Sequence, residues 1–237
     1  MLKKENDMDR TAIYSKNFSE IHALINKAAS NANRDPKTIK LLAASKRTGA
    51  EGIAIAYDLG QRIFGENRAQ ALRDKYDALV DRCPDAEWHF IGHLQKNKIK
   101  YIIGRATLIH SMDSVELATA VSVQMQKRCP NQTMGVLVQV KLGNDPHKTG
   151  CPKPQALKLC HAIENLPLLK LKGLMLIPPN DSNPSFWFRE LSALAEQGKQ
   201  QGLNLSILSM GMSSDLQEAI TAGTTMLRIG TALFKEE

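Results

Sequence analysis

The segment LLAASK, residues 41 to 46, places a lysine directly after five small or apolar residues. Such a segment predicts a buried strand, with the Lys46 amine at its end and apolar walls nearby. Desolvation and neighbouring cations favour the neutral amine, which is a nucleophile toward carbonyl groups and so suits Schiff-base chemistry. The alternative is a lysine that simply extends from a strand end into water. Other residues have to decide between the two.

A second group of candidate residues lies in GMSSDLQEA, residues 211 to 219. This segment runs from Gly211 through Met212 into a predicted helix, and Ser214 with Gln217 fits the pattern of a capping box. Backbone N–H groups at such a helix start, helped by the hydroxyls of Ser213 and Ser214, favour a phosphate. An ordinary capped helix is the alternative interpretation.

The segment RIGT, residues 228 to 231, supports the phosphate interpretation. Gly230 lets the backbone approach a ligand closely, and the Thr231 hydroxyl can donate a hydrogen bond. Arg228 interrupts an otherwise apolar strand, so its charge needs an acceptor, either a structural carboxylate or a ligand atom near the phosphate. Asn67, which follows GE, either binds a ligand or caps the next helix.

The elements that must position these residues alternate along the chain from residue 40. Amphipathic helical segments separate eight strand candidates. The candidates are IKLLAASK, QRIFGEN, EWHFIGH, LIHSMD, GVLVQVKL, LKLKGLMLI, LSILSMGM and TTMLRIGTALF. Alternation of this kind requires parallel strands, and eight units predict a single α/β domain, residues 1–237, folded as a (β/α)8 TIM barrel. The alternative, an open doubly wound sheet, is disfavoured because no G-x-G-x-x-G follows the first strand. Residues 10 to 33 predict an extra N-terminal helix.

Ligand sites of such barrels lie at the carboxyl ends of the strands, and these ends are polar here. They are Lys46, GEN (65–67), GHLQKNK (92–98), Asp113, NDPHKTG (144–150), PPN (178–180), GMSSD (211–215) and RIGT. The loops after strands seven and eight are the usual phosphate site of this barrel. A Schiff-base lysine after strand one together with that phosphate site indicates pyridoxal 5'-phosphate (PLP), an aldehyde that carries a phosphate.

Composition narrows the possible classes of protein. The formal net charge is +7, but lysine and arginine are scattered, with the densest cluster in QKNKIKY (95–101), and no nucleic-acid-binding motif accompanies them. The four cysteines form no C-x-x-C pair, and His89 and His93 share a strand face too far apart for an obvious metal site. The N-terminus has no apolar leader and no segment is apolar enough to span a membrane. We therefore expect a cytoplasmic protein with no metal site, no nucleic-acid partner and no membrane association.

Several motifs in order resemble the YggS/PROSC family of pyridoxal phosphate homeostasis proteins. They are LLAASK, FGENRAQ, EWHFIGHLQKNK, HKTG, KGLMLIP, SMGMSSDLQEAI and GTTMLRIGTALF, and they extend from about residue 40 to residue 234. The family's fold is similar to the N-terminal barrel of bacterial alanine racemase. Two departures, Thr149 where serine is common and Cys151 where an aliphatic residue is expected, affect only the fifth loop.

The resemblance also implies a role for each candidate residue. Lys46 would form the Schiff base with PLP, and Asn67 would lie near the cofactor. Ser213, Gly230 and Thr231, with the backbone at Gly211 and Met212, would hold the phosphate. Arg228 would face the pyridine nitrogen.

The same resemblance favours a carrier over an enzyme. A permanent cation opposite the pyridine nitrogen weakens the ring as an electron sink, although racemases of similar fold tolerate such an arginine. Alanine racemase takes a second base from a separate domain of the partner subunit, and we expect no room for that domain after the last strand candidate. The resemblance implies PLP homeostasis or transfer by a monomer without catalytic residues, with PLP-dependent apo-enzymes as partners. A racemase-like enzyme of low activity is the second hypothesis, and a basic nucleic-acid-binding barrel is the third.

Overall fold

A computed structural model describes residues 2–143, 149–179 and 183–236, with side chains from residue 9 onward. Parts of two polar segments from the sequence, NDPHKTG and PPN, lie outside these ranges. In the described residues eight strands line the barrel, and we number them β1 to β8. Their bounds are β1 Lys40–Ala44, β2 Ile63–Glu66, β3 Glu87–Phe90, β4 Leu108–Met112, β5 Met134–Lys141, β6 Leu169–Met175, β7 Ile207–Ser209 and β8 Met226–Ile229.

Helices alternate with these strands, as the sequence predicted. The α-helices are α1 Leu2–Asn31, α2 Ala50–Asp58, α3 Ala69–Leu79, α4 Ile99–Ile102, α5 Val115–Arg128, α6 Lys153–Glu164, α7 Pro184–Gln200, α8 Leu216–Thr221 and α9 Thr231–Phe234. Short 3-10 turns lie at Pro36–Thr38 and Lys96–Lys98. The predicted N-terminal helix is confirmed and is longer than the sequence pattern indicated. None of the described helices combines the length and the hydropathy needed to span a bilayer.

Consecutive strands of the barrel pair in parallel from β1 to β8, and β8 pairs in parallel with β1. The pairing of Lys40 with Met226 and of Leu42 with Arg228 closes the ring. A two-residue bridge, Cys151–Pro152, adds to the end of β5. The closed parallel barrel predicted from the eight strand-helix units is therefore confirmed.

The inside of the barrel holds alternate residues of each strand, because successive side chains of a strand point to opposite faces. Leu42, Ala44 and Met226 form one buried cluster there, and Leu108, Leu137 and Met175 form another. The remaining buried apolar residues pack between the strands and the helices. Continuing the alternation along β1 places position 46 on the inward side, at the mouth of the barrel.

Helix α1 covers the seam at which β1 and β8 meet, since it packs against both α8 and α9. The rings of Tyr14 and Phe18 contact Phe234 edge-on, at centroid distances of 5.5 and 6.1 Å. The Asn17 amide donates to the carbonyl oxygens of Leu233 and Lys235 at 3.2 and 3.0 Å. Beyond α1, the Arg34 guanidinium donates to two carbonyl oxygens at the C-terminal end of α8 and the turn after it, those of Ile220 and Thr224, both at 2.8 Å.

The last strand candidate, TTMLRIGTALF, was predicted too long. Strand β8 ends at Ile229, and the residues from Thr231 to Phe234 form α9. Gly230 stops the strand, and its carbonyl oxygen accepts from the backbone N–H groups of Leu233 and Phe234. Burial of Leu233 and the ring contacts of Phe234 with α1 favour this helical turn over a continued strand.

Candidate functional site

Lys46 lies in the turn after β1, and its side chain is exposed at the barrel mouth. It lines a pocket of about 210 Å³ together with Ala44, Gly230, Thr231 and Phe234. The structure thus brings the candidate nucleophile and two candidate phosphate-binding residues to one cavity. They come from opposite ends of the sequence and meet because β1 and β8 are neighbours in the barrel.

A buried ion pair supports the turn that carries Lys46. The Lys75 ammonium group on α3 contacts the Glu66 carboxylate at 2.6 Å, and the Glu66 side chain is only 1% exposed. The same ammonium donates to the carbonyl oxygen of Ser45 at 2.8 Å. The Ser45 hydroxyl donates to the same Glu66 oxygen at 2.6 Å. The residue before Lys46 is therefore fixed through both its carbonyl and its side chain.

Gly230 brings the backbone at the end of β8 close to the end of β1. A Cβ atom at this position would lie 2.8 Å from the Ala44 carbonyl oxygen, so a larger residue would push the two strand ends apart. The sequence predicted that the Gly230 backbone approaches a ligand closely. In the structure its close neighbour is the Ala44 backbone. Thr231, at the start of α9, is exposed in the pocket, where its hydroxyl can reach a bound group.

The loop after β7 has a different local structure from the one the sequence indicated. Helix α8 begins at Leu216 with Asp215 at its cap position, so the predicted capping box of Ser214 and Gln217 does not form. The Asp215 carboxylate instead accepts from the Met212 backbone N–H at 2.6 Å. Burial raises the pKa of this carboxyl group, and the hydrogen bond from Met212 partly offsets that effect.

The remaining residues of this loop are divided between the barrel and a neighbouring cavity. Gly211 is buried and has a φ of 94°, a left-handed conformation that favours glycine. Its carbonyl oxygen accepts from the backbone N–H of Arg228 at 3.0 Å. Met212 is 37% exposed. Ser213 and Ser214 line a second cavity of about 310 Å³, which lies between this loop and α1 and also includes Lys27.

Arg228 is buried inside the barrel, and its acceptors are neutral. One terminal nitrogen, Nη1, donates to the Ser209 carbonyl at 2.6 Å and to the Ser209 hydroxyl at 2.8 Å. The other, Nη2, donates to the Leu176 carbonyl at 2.9 Å. Burial lowers the pKa of the guanidinium to about 10, and the charge of Asp215 opposes this shift. Among the described residues no carboxylate contacts the guanidinium, so the predicted need for an acceptor is met by backbone and hydroxyl oxygens.

Asn67 lies at the carboxyl end of β2 and is exposed. The cap position of α3 is occupied by Arg68, so of the two roles considered for Asn67 the capping role does not occur. The backbone carbonyl oxygen of Asn67 lies against Gly92, which follows β3. A Cβ atom at position 92 would come within 2.1 Å of that oxygen. The side chain therefore projects from a backbone that is closely packed at the barrel mouth.

The two histidines considered for a metal site are separated by the fold. His89 is buried inside the barrel, whereas His93 is exposed and lies 3.8 Å from the Asp113 carboxylate. His110, which the sequence reasoning did not single out, lies beside His89 on the next strand, with Nε2 of His110 3.1 Å from Nδ1 of His89. The signal was present in LIHSMD, because His110 alternates with Leu108, an inward residue. Lys75 was also missed, and no local pattern distinguishes it from other helix lysines.

The family model for the alanine racemase N-terminal domain matches residues 19–237. The pyridoxal phosphate homeostasis protein of Aquifex aeolicus is 40% identical over 223 residues, covering 92% of this chain and 96% of that protein. The chain belongs to the pyridoxal phosphate homeostasis protein family.

Solved structures similar to this family member cover nearly the whole chain. The crystal structure of an unknown protein from Bifidobacterium adolescentis has a TM-score of 0.90 at 30% identity, and the match covers 95% of this chain and 96% of that one. PipY of Synechococcus elongatus, solved with PLP bound, has a TM-score of 0.78 at 34% identity and covers 89% of this chain and all of its own. The resemblance to the homeostasis protein family inferred from the sequence motifs is confirmed.

Proposed function

We propose that this protein binds PLP through a Schiff base on Lys46 and acts in PLP homeostasis or transfer. The observation that carries the proposal is the shared pocket of Lys46, Gly230 and Thr231, which places an amine beside a hydroxyl and a helix start. An amine suits the aldehyde of PLP, while hydroxyl and backbone N–H groups suit its phosphate. The curated relative from Aquifex aeolicus is named for PLP homeostasis, and PipY was solved with PLP bound, which supports this choice of ligand.

The residues present fit PLP. Lys46 and the start of α9 both line a pocket of about 210 Å³. In this proposal Thr231 and the backbone at Gly230 would bind the phosphate. A contribution from Gly211, Met212 and Ser213 would require the loop after β7 to turn toward this pocket, because Ser213 lines the neighbouring cavity and the Met212 N–H donates to Asp215. Asn67 contacts the cofactor from the end of β2. When bound, PLP supplies an electrophilic carbon and an aromatic ring that withdraws electrons.

Arg228 contributes a fixed positive charge in this proposal. Its guanidinium already donates to three oxygens inside the barrel, so its position is set without a ligand. Even with its pKa lowered to about 10, the group stays charged at neutral pH. If Arg228 faced the pyridine nitrogen, as the family resemblance implies, it would disfavour a proton on that nitrogen and weaken carbanion stabilisation by the ring.

These properties favour a carrier over a catalyst. Lys46 is exposed at an open mouth, which suits the release of PLP to a PLP-dependent apo-enzyme, and a monomer is sufficient for this role. A racemase-like enzyme of low activity is the alternative. It needs a proton acceptor on the second face of the substrate, and turnover of alanine or serine enantiomers by the purified protein would favour it.

The first experiment compares wild-type protein with Lys46→Ala and with Lys98→Ala, a lysine outside the pocket. Each protein is incubated with PLP, its visible absorption is recorded, and borohydride reduction is followed by peptide mapping. We expect a visible band and a reduced adduct on Lys46 in the wild type and in Lys98→Ala, and neither in Lys46→Ala. A wild-type protein without band or adduct would refute the proposed cofactor site.

A second experiment tests the transfer role. Protein loaded with PLP is mixed with the apo form of a PLP-dependent enzyme, and the return of that enzyme's activity is followed in the presence of a trap for free PLP. Reactivation in the presence of the trap supports direct transfer. Complete loss of reactivation with the trap would show that PLP is only released into solution, and the transfer role would be wrong.

A further inference from the structure

Four polar side chains form a continuous line across the inside of the barrel. Arg228 Nη1 lies 2.8 Å from Ser209 Oγ, which lies 2.9 Å from His110 Nδ1. His110 Nε2 lies 3.1 Å from His89 Nδ1. All four side chains are buried, and they come from β8, β7, β4 and β3. At the far end, His89 Nε2 lies 3.7 Å from the Glu87 carboxylate, which is half exposed at the start of β3.

The Arg228 end determines the direction of the first hydrogen bonds. A guanidinium can only donate, so Ser209 Oγ accepts from Arg228. The Ser209 hydroxyl then has its own proton to donate, and His110 Nδ1 is an acceptor at hydrogen-bonding distance. If His110 Nδ1 carried the proton instead, the buried Ser209 hydroxyl would accept twice and no described group would accept its proton. Such an unsatisfied buried donor is costly.

The Glu87 end requires the same direction. A neutral His110 that accepts at Nδ1 carries its proton on Nε2 and donates to His89 Nδ1. His89 then carries its own proton on Nε2, which faces the Glu87 carboxylate. The separation of 3.7 Å exceeds a hydrogen bond, so this last contact is electrostatic. The opposite arrangement would place a nitrogen lone pair against a carboxylate, which is repulsive.

We propose that Ser209, His110 and His89 are positioning residues that hold the Arg228 guanidinium through one chain of hydrogen bonds directed from Arg228 toward Glu87. Both histidines are neutral and protonated on Nε2 in this arrangement. Because Ser209 and His110 each accept one hydrogen bond of the chain and donate the next, the direction of any one bond fixes the direction of the others. The line therefore fixes the orientation of Arg228 from inside the barrel.

The surroundings of the two histidines agree with their neutral state. Burial lowers the pKa of His89, with Glu87 opposing this shift and Lys40 adding to it. Burial also lowers the pKa of His110 well below its ordinary value, and the neighbouring Arg228 and His89 add to this effect, because the guanidinium or a protonated His89 would repel a charge on His110. Both shifts favour the neutral form of the imidazole, in agreement with the hydrogen-bond geometry of the chain.

Nitrogen NMR of the ligand-free protein labelled with ¹⁵N-histidine tests the direction of the chain. His89→Gln and His110→Gln assign the two buried signals. We expect both residues to show a pyrrole-type Nε2 and a pyridine-type Nδ1, with no change from about pH 6 to pH 8. A proton on Nδ1 of either buried histidine, or titration of either one, would overturn the proposal.

A second test measures the effect on Arg228 and depends on the proposed function, because it uses bound PLP as the probe. Ser209→Ala removes the hydroxyl between Arg228 and His110, whereas Ser209→Thr keeps it. Ser206→Ala, which removes an exposed hydroxyl just before β7, is the matched control. We expect Ser209→Ala to shift the visible band of bound PLP and to weaken PLP binding by about tenfold, the effect of one lost charge-assisted hydrogen bond. Ser209→Thr and Ser206→Ala should behave as wild type.

The two failures can be told apart. If wild-type protein forms no adduct with PLP, the proposed function fails, and the NMR experiment still decides the direction of the chain. If wild type binds PLP but Ser209→Ala leaves its band and affinity unchanged, the positioning role is wrong while the cofactor assignment stands. A loss in Ser209→Ala that Ser209→Thr does not restore would also overturn the positioning role.

Discussion

Replacing Lys75 by methionine would leave the Glu66 carboxylate buried without its cation. The two groups lie 2.6 Å apart, with the lysine side chain 15% exposed and the glutamate side chain 1% exposed. Removing one partner of a buried ion pair typically costs about 3–5 kcal/mol of the free energy of unfolding. Glu66 keeps one hydrogen bond, from the Ser45 hydroxyl, so we expect the lower end of this range, about 3 kcal/mol.

Urea unfolding followed by the fluorescence of Trp88 and Trp187 measures this loss. In thermal unfolding, the same cost of about 3 kcal/mol corresponds to a decrease in the melting temperature of about 6–12 °C for a chain of this length. The matched control is Lys199→Met, because Lys199 contacts Glu196 at the same distance, 2.6 Å, with side chains 43% and 63% exposed. Exposed pairs contribute little, so we expect the control to cost less than about 1 kcal/mol.

A double substitution identifies the origin of the effect. Lys75→Met combined with Glu66→Gln removes both charges, and the amide can still accept from the Ser45 hydroxyl. We expect the double variant to recover at least half of the stability lost in Lys75→Met, because no buried charge is left unpaired. Equal losses in Lys75→Met and Lys199→Met would refute the argument from burial.

Two further predictions concern thiol reactivity and the seam of the barrel. Burial raises the pKa of Cys151 to about 11 and that of Cys160 to about 12. At pH 8 both thiols should therefore react with a disulfide reagent far more slowly than the partly exposed Cys129. Labelling of Cys151 or Cys160 faster than Cys129 would contradict the structure. Arg34→Met removes two charge-assisted hydrogen bonds to the end of α8 and should cost about 2–3 kcal/mol in urea unfolding. Arg128→Met, at an exposed helix position, should change stability by less than about 0.5 kcal/mol, and a similar change in both variants would be evidence against the Arg34 contacts.

The barrel could be predicted from the sequence because its signal is repeated. Each of the eight strand candidates overlaps an observed strand, and the strand-helix alternation specifies parallel pairing without knowledge of any single contact. Strand ends were less certain. The apolar residues after Gly230 are equally compatible with a strand or a helix, and contacts with α1, far away in sequence, determine the outcome.

The candidate site could be predicted only in part. Lys46, Gly230 and Thr231 share a pocket because strand order brings their loops together, and strand order follows from the fold. The capping box at Ser214 was wrong because the buried carboxylate of Asp215 bonds the loop backbone instead. Three-dimensional proximity, which single-sequence patterns do not contain, determines contacts such as those of Lys75 with Ser45.

The line of side chains that begins at Arg228 could not be predicted from local sequence patterns either. His89, His110 and Ser209 lie on three different strands, and none of them is unusual in its local sequence. Inward direction could be assigned to each from strand alternation. Their distances depend on the barrel's size and register, which pairing between strands sets.

The position of the pocket on the seam between β1 and β8 links ligand binding to the completion of folding. Lys46 belongs to an early part of the chain and Thr231 to a late part, so the cavity that they share exists only after the ring has closed. A ligand that contacts both sides of this seam binds only the closed barrel. Its binding therefore raises the free energy of unfolding by mass action. Occupancy of the pocket therefore marks molecules that have completed folding, and resistance of α1 to proteolysis should increase as the pocket fills.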